Sequence, residues 1–305
     1  MTGTLTPPRP DTEVEHLLTV TISRGRRIRN RLAGVWMYAS FVLVAVPLVI
    51  VIGYVVIKGI GVIDGAWFTQ KIFVLDTKAG GGMAPAIVGT IVITFWATLL
   101  AVPLGVLAAI YLHEYGKRGR LARVIRFMSE VMTGVPSIIM GLFVFIVFTV
   151  PLGAKGLVGF GGSLALACLM LPIVIRSSEE MLRLVPDDLR QASYALGNRK
   201  WRTIVTVVLP AALGGMVSGI MLAVARAAGE TAPLLFTIGA SRRVNWNVFQ
   251  GPNTALPLQI WNNSQSPYLP AQNRAWGAAL TLVVLVFVLT LLARFVSSRF
   301  SLKHD

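Results

Sequence analysis

The sequence predicts an all-α, polytopic membrane protein with six transmembrane helices, and its composition and long apolar blocks support that prediction. Of the 305 residues, 55% are hydrophobic and only 13% are charged, whereas soluble domains carry about 25% charged residues. The apolar residues lie in blocks long enough to cross the hydrocarbon of a bilayer, which takes about 20 residues. Backbone groups inside lipid must hydrogen-bond within their own segment, so these blocks are expected to be helices.

Six apolar blocks follow one another along the chain. The first, at about residues 35–56, is too long for the core of a signal peptide and is not followed by a small-residue cleavage pattern. We therefore interpret it as an uncleaved first span. The other blocks lie at about 85–112, 127–150, 160–182, 205–229 and 275–297. The resulting divisions are an N-terminal tail at 1–33, a six-span domain at 34–298 and a C-terminal tail at 299–305.

The basic residues between the blocks predict the orientation of the spans. Cytoplasmic loops of membrane proteins carry an excess of Lys and Arg. Here the N-terminal tail, the 113–126 loop, the 183–203 segment and the C-terminus are basic, which predicts that both termini lie in the cytoplasm. We assign the net charge of +15 to contacts with anionic membrane lipid. Nucleic acid is not an expected partner, because no soluble domain is present to bind it.

Several classes of site are missing from the sequence. Its single cysteine, Cys168, forms no intramolecular disulfide and no cysteine-based metal site. The three histidines, His16, His113 and His304, are scattered and suggest no set of metal ligands. There is no GxxxxGK[ST] segment to hold ATP phosphates, and no Ser–His arrangement lies near the end of a span. We therefore expect no metal site, no cofactor bound by this chain and no enzymatic activity.

Two segments on the outer side are long enough to hold further structure. Residues 60–84 include the flexible Gly80-Gly81-Gly82. Residues 231–274 contain several Pro and Asn residues and form either an extracytoplasmic loop or a re-entrant one. Aromatic residues near the outer ends of the spans are expected at the lipid–water interface: Trp67, Trp246, Trp261, Tyr268 and Trp276.

A short helix with its own start and stop is predicted between the fourth and fifth spans. Pro186 ends the preceding helix, and Asp187 and Asp188 suit a helix N-terminus through capping and through attraction to the helix dipole. An apolar face at three- and four-residue spacing and a glycine suited to a left-handed stop follow: Leu189, Ala192, Leu196 and Gly197. This pattern fits a helix that rests on lipid headgroups as well as one that transmits force from a bound partner.

Charged residues within the spans are candidates for function, because each costs about 2.5–3.5 kcal/mol to insert. Arg226 and Glu230 are spaced to pair on one helix face near the outer end of the fifth span. They form either a structural ion pair or a site where the guanidinium binds the oxygens of an anion. Arg176 either extends to the inner surface or, if its helix continues to Pro186, lines a path through the membrane, which we favour. The two arginines are expected at different depths.

The cytoplasmic segment resembles the EAA signature of permeases of ABC importers. The resemblance rests on Gln191-Ala192-Ser193, Gly197 and Val207 with Leu209-Pro210, where Gln and Ser replace the usual Glu and second Ala. In that family the short helix docks on the ATP-binding subunit and couples nucleotide-driven dimerisation to opening of the permease. The resemblance implies a coupling helix at about residues 187–201 that includes Asp187, Asp188, Leu189, Gln191, Ala192, Ser193, Leu196 and Gly197.

Further segments are similar to one subfamily of these permeases, the phosphate-specific PstA subfamily. The most specific is RAAGETAP at residues 226–233, and others lie at 81–90, 134–141, 176–182 and 265–268. The resemblance covers about residues 80–295 and implies the type I ABC importer (MetI-like) permease fold. It also implies that inorganic phosphate passes Arg176 and Arg226, with Glu230 as the partner of Arg226.

The same resemblance implies the partners of the chain at a bacterial inner (plasma) membrane. They are a PstC-like sister permease that forms the other half of the path, a dimeric ATP-binding subunit that holds ATP and Mg, and an extracytoplasmic phosphate-binding protein. The alternatives are a permease for another oxyanion, sulfate or molybdate, and a channel or ion-driven carrier outside the ABC class. A channel or carrier does not need the capped helix, and the sequence shows no inverted repeat.

Overall fold

The structure is a computed structural model that describes residues 24–73, 75–116 and 119–300. Within these ranges the chain is helical and contains no strand. The predicted N-terminal tail lies outside the described residues as far as residue 23, and the predicted C-terminal tail lies outside them from residue 301. Residues 24–33 of the predicted tail belong to the first helix, which begins ahead of the predicted membrane domain.

The helices are numbered here in chain order. They are α1 (Arg24–Ile60), α2 (Ala84–Ile110), α3 (Arg120–Gly134), α4 (Ser137–Val144), α5 (Gly159–Leu184), α6 (Asp187–Ala195), α7 (Lys200–Thr203), α8 (Leu209–Gly229), α9 (Leu234–Thr237), α10 (Leu256–Ser264) and α11 (Leu269–Phe300). A π-helical turn, Tyr111–Tyr115, prolongs α2, and another, Ile204–Val208, joins α7 to α8. Five segments of the described chain are long and apolar enough to cross a bilayer: 24–60, 84–115, 159–184, 200–229 and 269–292.

Helix α1 is longer than a bilayer crossing requires. Its 37 residues span about 55 Å, whereas the hydrocarbon is about 30 Å thick. The five arginines between residues 24 and 31 occupy its first turns, where the excess length allows them to lie outside the hydrocarbon. The chain divides into two compact units, one ending at Tyr54 within α1 and one that begins at Val55.

The third predicted span, at 127–150, is not one straight helix. Helix α3 and the helical segment from Ser137 to Leu152 meet at an angle of 110°. The break lies at Val135, because the proline that follows forces this residue out of the helical region, and its backbone is extended at φ −76°, ψ 129°. The described residues therefore contain six candidate spans if the bent pair is counted as one, and five otherwise.

Helix α5 packs against both α2 and α8, and the largest buried apolar cluster joins these three helices. Ala97 of α2, Met170 of α5 and Ala223 of α8 are among its members, each at most 1% exposed. Small residues bring the helix backbones close together, as is common in membranes. A Cβ atom at Gly105 of α2, for example, would lie only 2.7 Å from a methyl group of Val174 on α5. The position of α5 is therefore fixed on two sides.

The segment 231–274 folds back into the protein. Its middle residues, from Asn253 to Gln259, are buried. The backbone N–H of Leu256 donates to the hydroxyl of Thr90 on α2 at 2.8 Å, and the side-chain oxygen of Asn253 accepts from the N–H of Gly159 at 3.2 Å. These contacts attach the segment to the starts of α2 and α5.

The predicted place of Trp67 at the lipid–water interface is wrong. Trp67 is fully buried, and its indole N–H donates to the hydroxyl of Thr281 on α11 at 2.9 Å. A Cβ atom at Gly277 would lie 2.8 Å from the indole ring, so a glycine provides the space that the ring occupies. Trp246, by contrast, is 69% exposed.

Replacing Gly89 by alanine is expected to destabilise the folded chain, because the new Cβ atom would overlap the carbonyl oxygen of Thr254. Overpacking of this kind costs about 1–3 kcal/mol. Thermal unfolding of the purified protein in detergent measures the change. Gly53→Ala is the control, since nothing lies within 4 Å of its Cβ position. Equal melting temperatures for the two variants would contradict the close packing at Gly89.

Candidate functional site

Helix α6 is held to the ends of α2 and α5 by a buried side chain, Arg190. Its guanidinium donates to Glu114 Oε1 from Nε at 3.2 Å and from a terminal nitrogen at 3.1 Å. It also donates to the carbonyl oxygens of Leu182 at 2.9 Å and Val185 at 2.7 Å. Arg190 is 8% exposed and Glu114 is 6% exposed. Because a buried charge is stable only when paired and hydrogen-bonded, this contact fixes α6 against the ends of α2 and α5.

A second buried contact joins α6 to α7. The hydroxyl groups of Ser193 and Thr203 lie 2.9 Å apart, and both residues are buried. The side-chain amide of Asn198 also donates to the Ser193 hydroxyl, at 3.3 Å. Ser193, one of the residues expected to couple the chain to a partner, therefore faces the protein interior and anchors the helix.

The predicted left-handed stop of α6 at Gly197 is confirmed. Gly197 has a φ of +79°, a conformation that glycine adopts without steric cost. Its N–H donates to the carbonyl oxygen of Tyr194 at 2.9 Å, and the N–H of Asn198 donates to that of Ser193 at 3.2 Å. This pair of bonds is the Schellman motif, which satisfies carbonyl groups at a helix end.

The predicted side-chain cap at the start of α6 is not formed. Pro186 occupies the N-cap position, and no side chain bonds to the free N–H groups there. The carboxylate of Asp187 instead accepts a hydrogen bond from Arg190 at 3.0 Å. Asp187 and Asp188 still lie in the first turn, where negative charge is favoured by the helix dipole.

The apolar face of α6 is exposed. Leu196 is 83% exposed and Leu189 is 42% exposed, while Ala192 and Gln191 are exposed as well. The buried face of the same helix carries Arg190 and Ser193. The apolar residues that the sequence places on one face thus point away from the rest of the described chain.

The pair formed by Arg226 and Glu230 is present and loosely held. Arg226 Nε lies 3.4 Å from Glu230 Oε1, and the two side chains are 64% and 20% exposed. Arg226 lies in the last turn of α8, and Glu230 follows that helix. An exposed ion pair of this kind contributes little to stability, so most of the guanidinium is open to other ligands.

Helix α5 continues past Arg176 to Leu184, which is the condition under which this arginine was expected to line a path. Arg176 Nε lies 3.7 Å from Glu180 Oε1, and the two side chains are 71% and 64% exposed. The remaining eight residues of the helix place Arg176 about 12 Å from the end that carries α6. Arg176 therefore lies in the interior of α5 and not at its end.

The two arginines lie at different depths, as the sequence predicts. A side chain at Gly219 of α8 would overlap Ser177 of α5, and one at Gly215 would overlap Met181. The helices therefore run antiparallel, with Arg176 level with residue 220. Arg226 lies six residues further along α8, which is about 9 Å along the helix axis. Arg226 is thus the arginine farther from α6.

A groove of about 250 Å³ opens beside Arg176, between α3, α5 and the end of α2. Across it, Arg126 of α3 bonds to Glu179 of α5 at 2.7 Å. Three arginines and three glutamates line the groove together with His113: Arg126, Arg176, Arg183, Glu130, Glu179 and Glu180. Because the three positive charges are matched by three negative ones, the groove has no excess positive charge to bind an anion tightly.

The part of the chain that the structure describes has no group of three His, Cys, Asp or Glu side chains able to hold a metal ion.

Sequence reasoning does not single out the residues that hold α6. Arg190 follows Asp187 at a spacing suited to an ion pair, which is a weak local signal. Glu114 is an acidic residue at the end of an apolar block, a second weak signal. The two are 76 residues apart, and no pattern in the sequence relates them.

A family model described as "Binding-protein-dependent transport system inner membrane component" matches residues 101–302. Curated relatives match over nearly the whole chain. "Phosphate transport system permease protein PstA 1" of Mycobacterium tuberculosis (strain CDC 1551 / Oshkosh) is 45% identical over 95% of this chain and 96% of its own. "Phosphate transport system permease protein PstA" of Yersinia pestis is 41% identical over 90% of this chain and 92% of its own.

Two solved structures share the fold at low sequence identity. A chain of the inward-facing MetNI methionine ABC transporter superposes with a TM-score of 0.54 at 20% identity, covering 70% of this chain and 92% of its own. A chain of a bacterial ABC transporter involved in the import of the acidic polysaccharide alginate gives 0.55 at 13% identity, covering 90% and 99%. At these identities the likeness establishes the fold alone.

Ser193→Ala is expected to loosen α6, because the buried hydroxyl of Thr203 loses its partner. An unsatisfied buried hydroxyl costs about 1–3 kcal/mol. Adding Thr203→Val removes that hydroxyl and should restore most of the lost stability. Hydrogen–deuterium exchange of residues 187–203 measures both effects. Equally fast exchange in the single and double variants would show that the hydroxyl pair does not hold the helix.

Proposed function

The chain belongs to the family of binding-protein-dependent transport system inner membrane components, among its phosphate transport permeases, and on that premise we propose that it forms half of the membrane path of an ATP-driven phosphate importer. A sister permease supplies the other half. The chain itself is not an enzyme and binds no cofactor; ATP and Mg are bound on a separate dimeric subunit. A multi-pass protein of this family lies in the inner membrane, and both of its termini lie in the cytoplasm.

The observation that carries the proposal is the exposed apolar face of α6, held outward by the buried Arg190. Leu189, Ala192 and Leu196 present this face on a helix whose other side is anchored. An amphipathic helix commonly lays its apolar face into a groove of a partner. The partner proposed here is the ATP-binding subunit, which would then displace α6 as it binds and hydrolyses ATP.

The two exposed arginines support an anion as the cargo. Arginine binds oxyanions through parallel hydrogen bonds, and both Arg176 and Arg226 are paired with glutamates only through exposed contacts. A passing phosphate can therefore replace a carboxylate as the partner of each guanidinium. Weak and transient binding suits transport, since a tight site would hold the ion in place.

The difference in depth gives the two arginines successive roles. Arg226, farther from α6, receives phosphate released by an extracytoplasmic phosphate-binding protein, and Arg176 receives it closer to the cytoplasmic end. Glu230 and Glu180 occupy the guanidinium groups between passages. The names of the relatives favour phosphate over sulfate or molybdate.

Arg226→Gln is expected to lower phosphate uptake by at least about tenfold, because glutamine lacks the charge and the paired donors that bind an oxyanion. Uptake of radioactive phosphate into vesicles that contain the assembled complex measures the effect. Arg242→Gln, an exposed position in the outer segment, is the control and should leave uptake unchanged. Normal uptake by Arg226→Gln would exclude this residue from the path. Phosphate specificity is tested separately with the wild-type complex, and inhibition of its phosphate uptake by excess sulfate or molybdate would contradict it.

Leu196→Glu is expected to weaken binding of the ATP-binding subunit, because a charge replaces the highly exposed apolar side chain at the C-terminal end of α6. Leu196→Met keeps the surface apolar and is the control. Removing an apolar side chain from the centre of an interface costs about 1–4 kcal/mol, which is roughly fivefold or more in affinity. Co-purification and titration of the subunit with the membrane-embedded chain measure the loss. Equal affinity of the two variants would show that the subunit binds elsewhere.

A further inference from the structure

We propose that Arg190 is a positioning residue that makes α6 move as one body with the adjoining ends of α2 and α5. A displacement of α6 then reaches the helix that carries Arg176. The inference rests on the proposed function, in which a partner subunit displaces α6. It identifies the contact that carries this displacement into the membrane.

The guanidinium of Arg190 uses its whole set of donors. Arginine has five N–H groups in a fixed planar arrangement. Their acceptors come from three parts of the chain: Glu114 Oε1, Asp187 Oδ1 and the carbonyl oxygens of Leu182 and Val185, with His113 Nε2 at 3.3 Å from a terminal nitrogen. Because the group is planar and buried, α6 cannot shift against α2 or α5 without breaking several of these bonds together.

Two of the bonds close the C-terminal end of α5. The last carbonyl groups of a helix have no partner within the helix, and a cation is favoured near that end. Arg190 supplies the donors for Leu182, in the last turn of α5, and for Val185, directly after it. Although Arg190 belongs to α6, its guanidinium satisfies carbonyl groups at the C-terminal end of α5.

The turn after α2 is bound by two cations, Arg190 of α6 and Lys200 of α7. The carboxylate of Glu114 accepts from Arg190, and the backbone carbonyl of Glu114 accepts from Nζ of Lys200. The same Nζ lies 4.6 Å from the centre of the Tyr115 ring, a distance that favours a cation–π contact. Since Lys200 begins α7, the connection between α5 and α8 is tied to the turn after α2 at two points, one within α6 and one after it.

Helix α5 extends the linkage to Arg176 and to α3. Arg176 lies six residues before Leu182 on the same continuous helix, about 9 Å along its axis. Between them, Glu179 bonds to Arg126 of α3 at 2.7 Å. A shift of the end of α5 therefore moves Arg176 and pulls on α3 as well.

Arg190 differs in kind from the two arginines of the path. Arg176 and Arg226 are more than half exposed and are paired through single long contacts, whereas Arg190 is buried and bound on every side. An incoming anion would have to break this whole set of bonds to reach it. Arg190 acts on the path through α5 and does not touch the cargo.

The test measures phosphate imported per ATP hydrolysed, with the assembled complex reconstituted in liposomes. Arg190→Ala is expected to lower this ratio by at least about tenfold, the usual size of a coupling effect, while ATP hydrolysis stays within about twofold. Arg242→Ala, at an exposed position of the outer segment and away from α6, is the control and should keep the ratio of the wild type. An unchanged ratio for Arg190→Ala, or a fall of import and hydrolysis in the same proportion, would overturn the proposal.

Two further variants keep the test decisive if Arg190→Ala does not assemble. Arg190→Lys retains the charge with fewer donors, and Glu114→Gln retains the shape without the charge. Each should lower the import ratio by a smaller factor. Combining Glu114→Gln with Arg190→Lys should lower the ratio no further than the stronger single variant, because the two side chains act as one unit. A wild-type ratio in both single variants, or a product of the two losses in the double variant, would overturn the linkage.

A distance measurement tests the linkage without reference to cargo. Spin labels are placed at Leu184 and Tyr194, which are both exposed and lie outside the apolar face of α6, after Cys168→Ala removes the single cysteine. If α5 and α6 move as one body, the distance between the labels stays the same when ATP binds to the complex, and it changes with ATP in Arg190→Ala. A change in the otherwise wild-type chain would overturn the linkage. Absence of ATP-driven phosphate uptake by the wild-type complex would instead refute the proposed function and leave this measurement valid.

Discussion

The close packing of α5 against α2 and α8 is the constraint on which the other features of the chain depend, because α5 contributes to each part of the candidate site. Glycines at 105, 215 and 219 allow the three helices to approach until side chains of α5 fill the space that a Cβ atom would take. This packing sets the register that separates Arg176 from Arg226 in depth. It also brings the end of α5 beside the turn after α2, where a single arginine can bind both.

The arginines show how one residue type serves two purposes in an apolar protein. A buried guanidinium is costly unless it is paired and hydrogen-bonded, as it is at Arg190. Such a group holds a fixed shape and exchanges partners with difficulty. An exposed guanidinium with one long contact, as at Arg176 and Arg226, has donors that are not used within the chain and can exchange partners readily. The first kind suits transmission of a movement, and the second suits passage of an anion.

The extent to which the fold follows from the sequence differs from element to element. The straight spans follow from length and hydrophobicity, since an apolar block of about 20 residues has few alternatives in a bilayer. The bend in the third block does not follow in the same way, because hydropathy shows how apolar a segment is but not the direction in which it runs. A proline signals a possible break, but the 110° angle depends on the packing of each half. The burial of Trp67 likewise depends on Gly277, which is distant in sequence.

The sequence by itself determined the local features of the candidate site: the apolar face of α6, its glycine stop, and the spacing that pairs Arg226 with Glu230. Each depends on residues within about one turn of helix, and over that distance the helical repeat predicts which side chains share a face. Only the tertiary structure decided which face of α6 is buried and what holds it. Arg190 meets Glu114 across 76 residues, and that meeting depends on how α2 packs against α5. The sequence contains both residues of the contact that anchors α6, but only the tertiary structure shows that they pair.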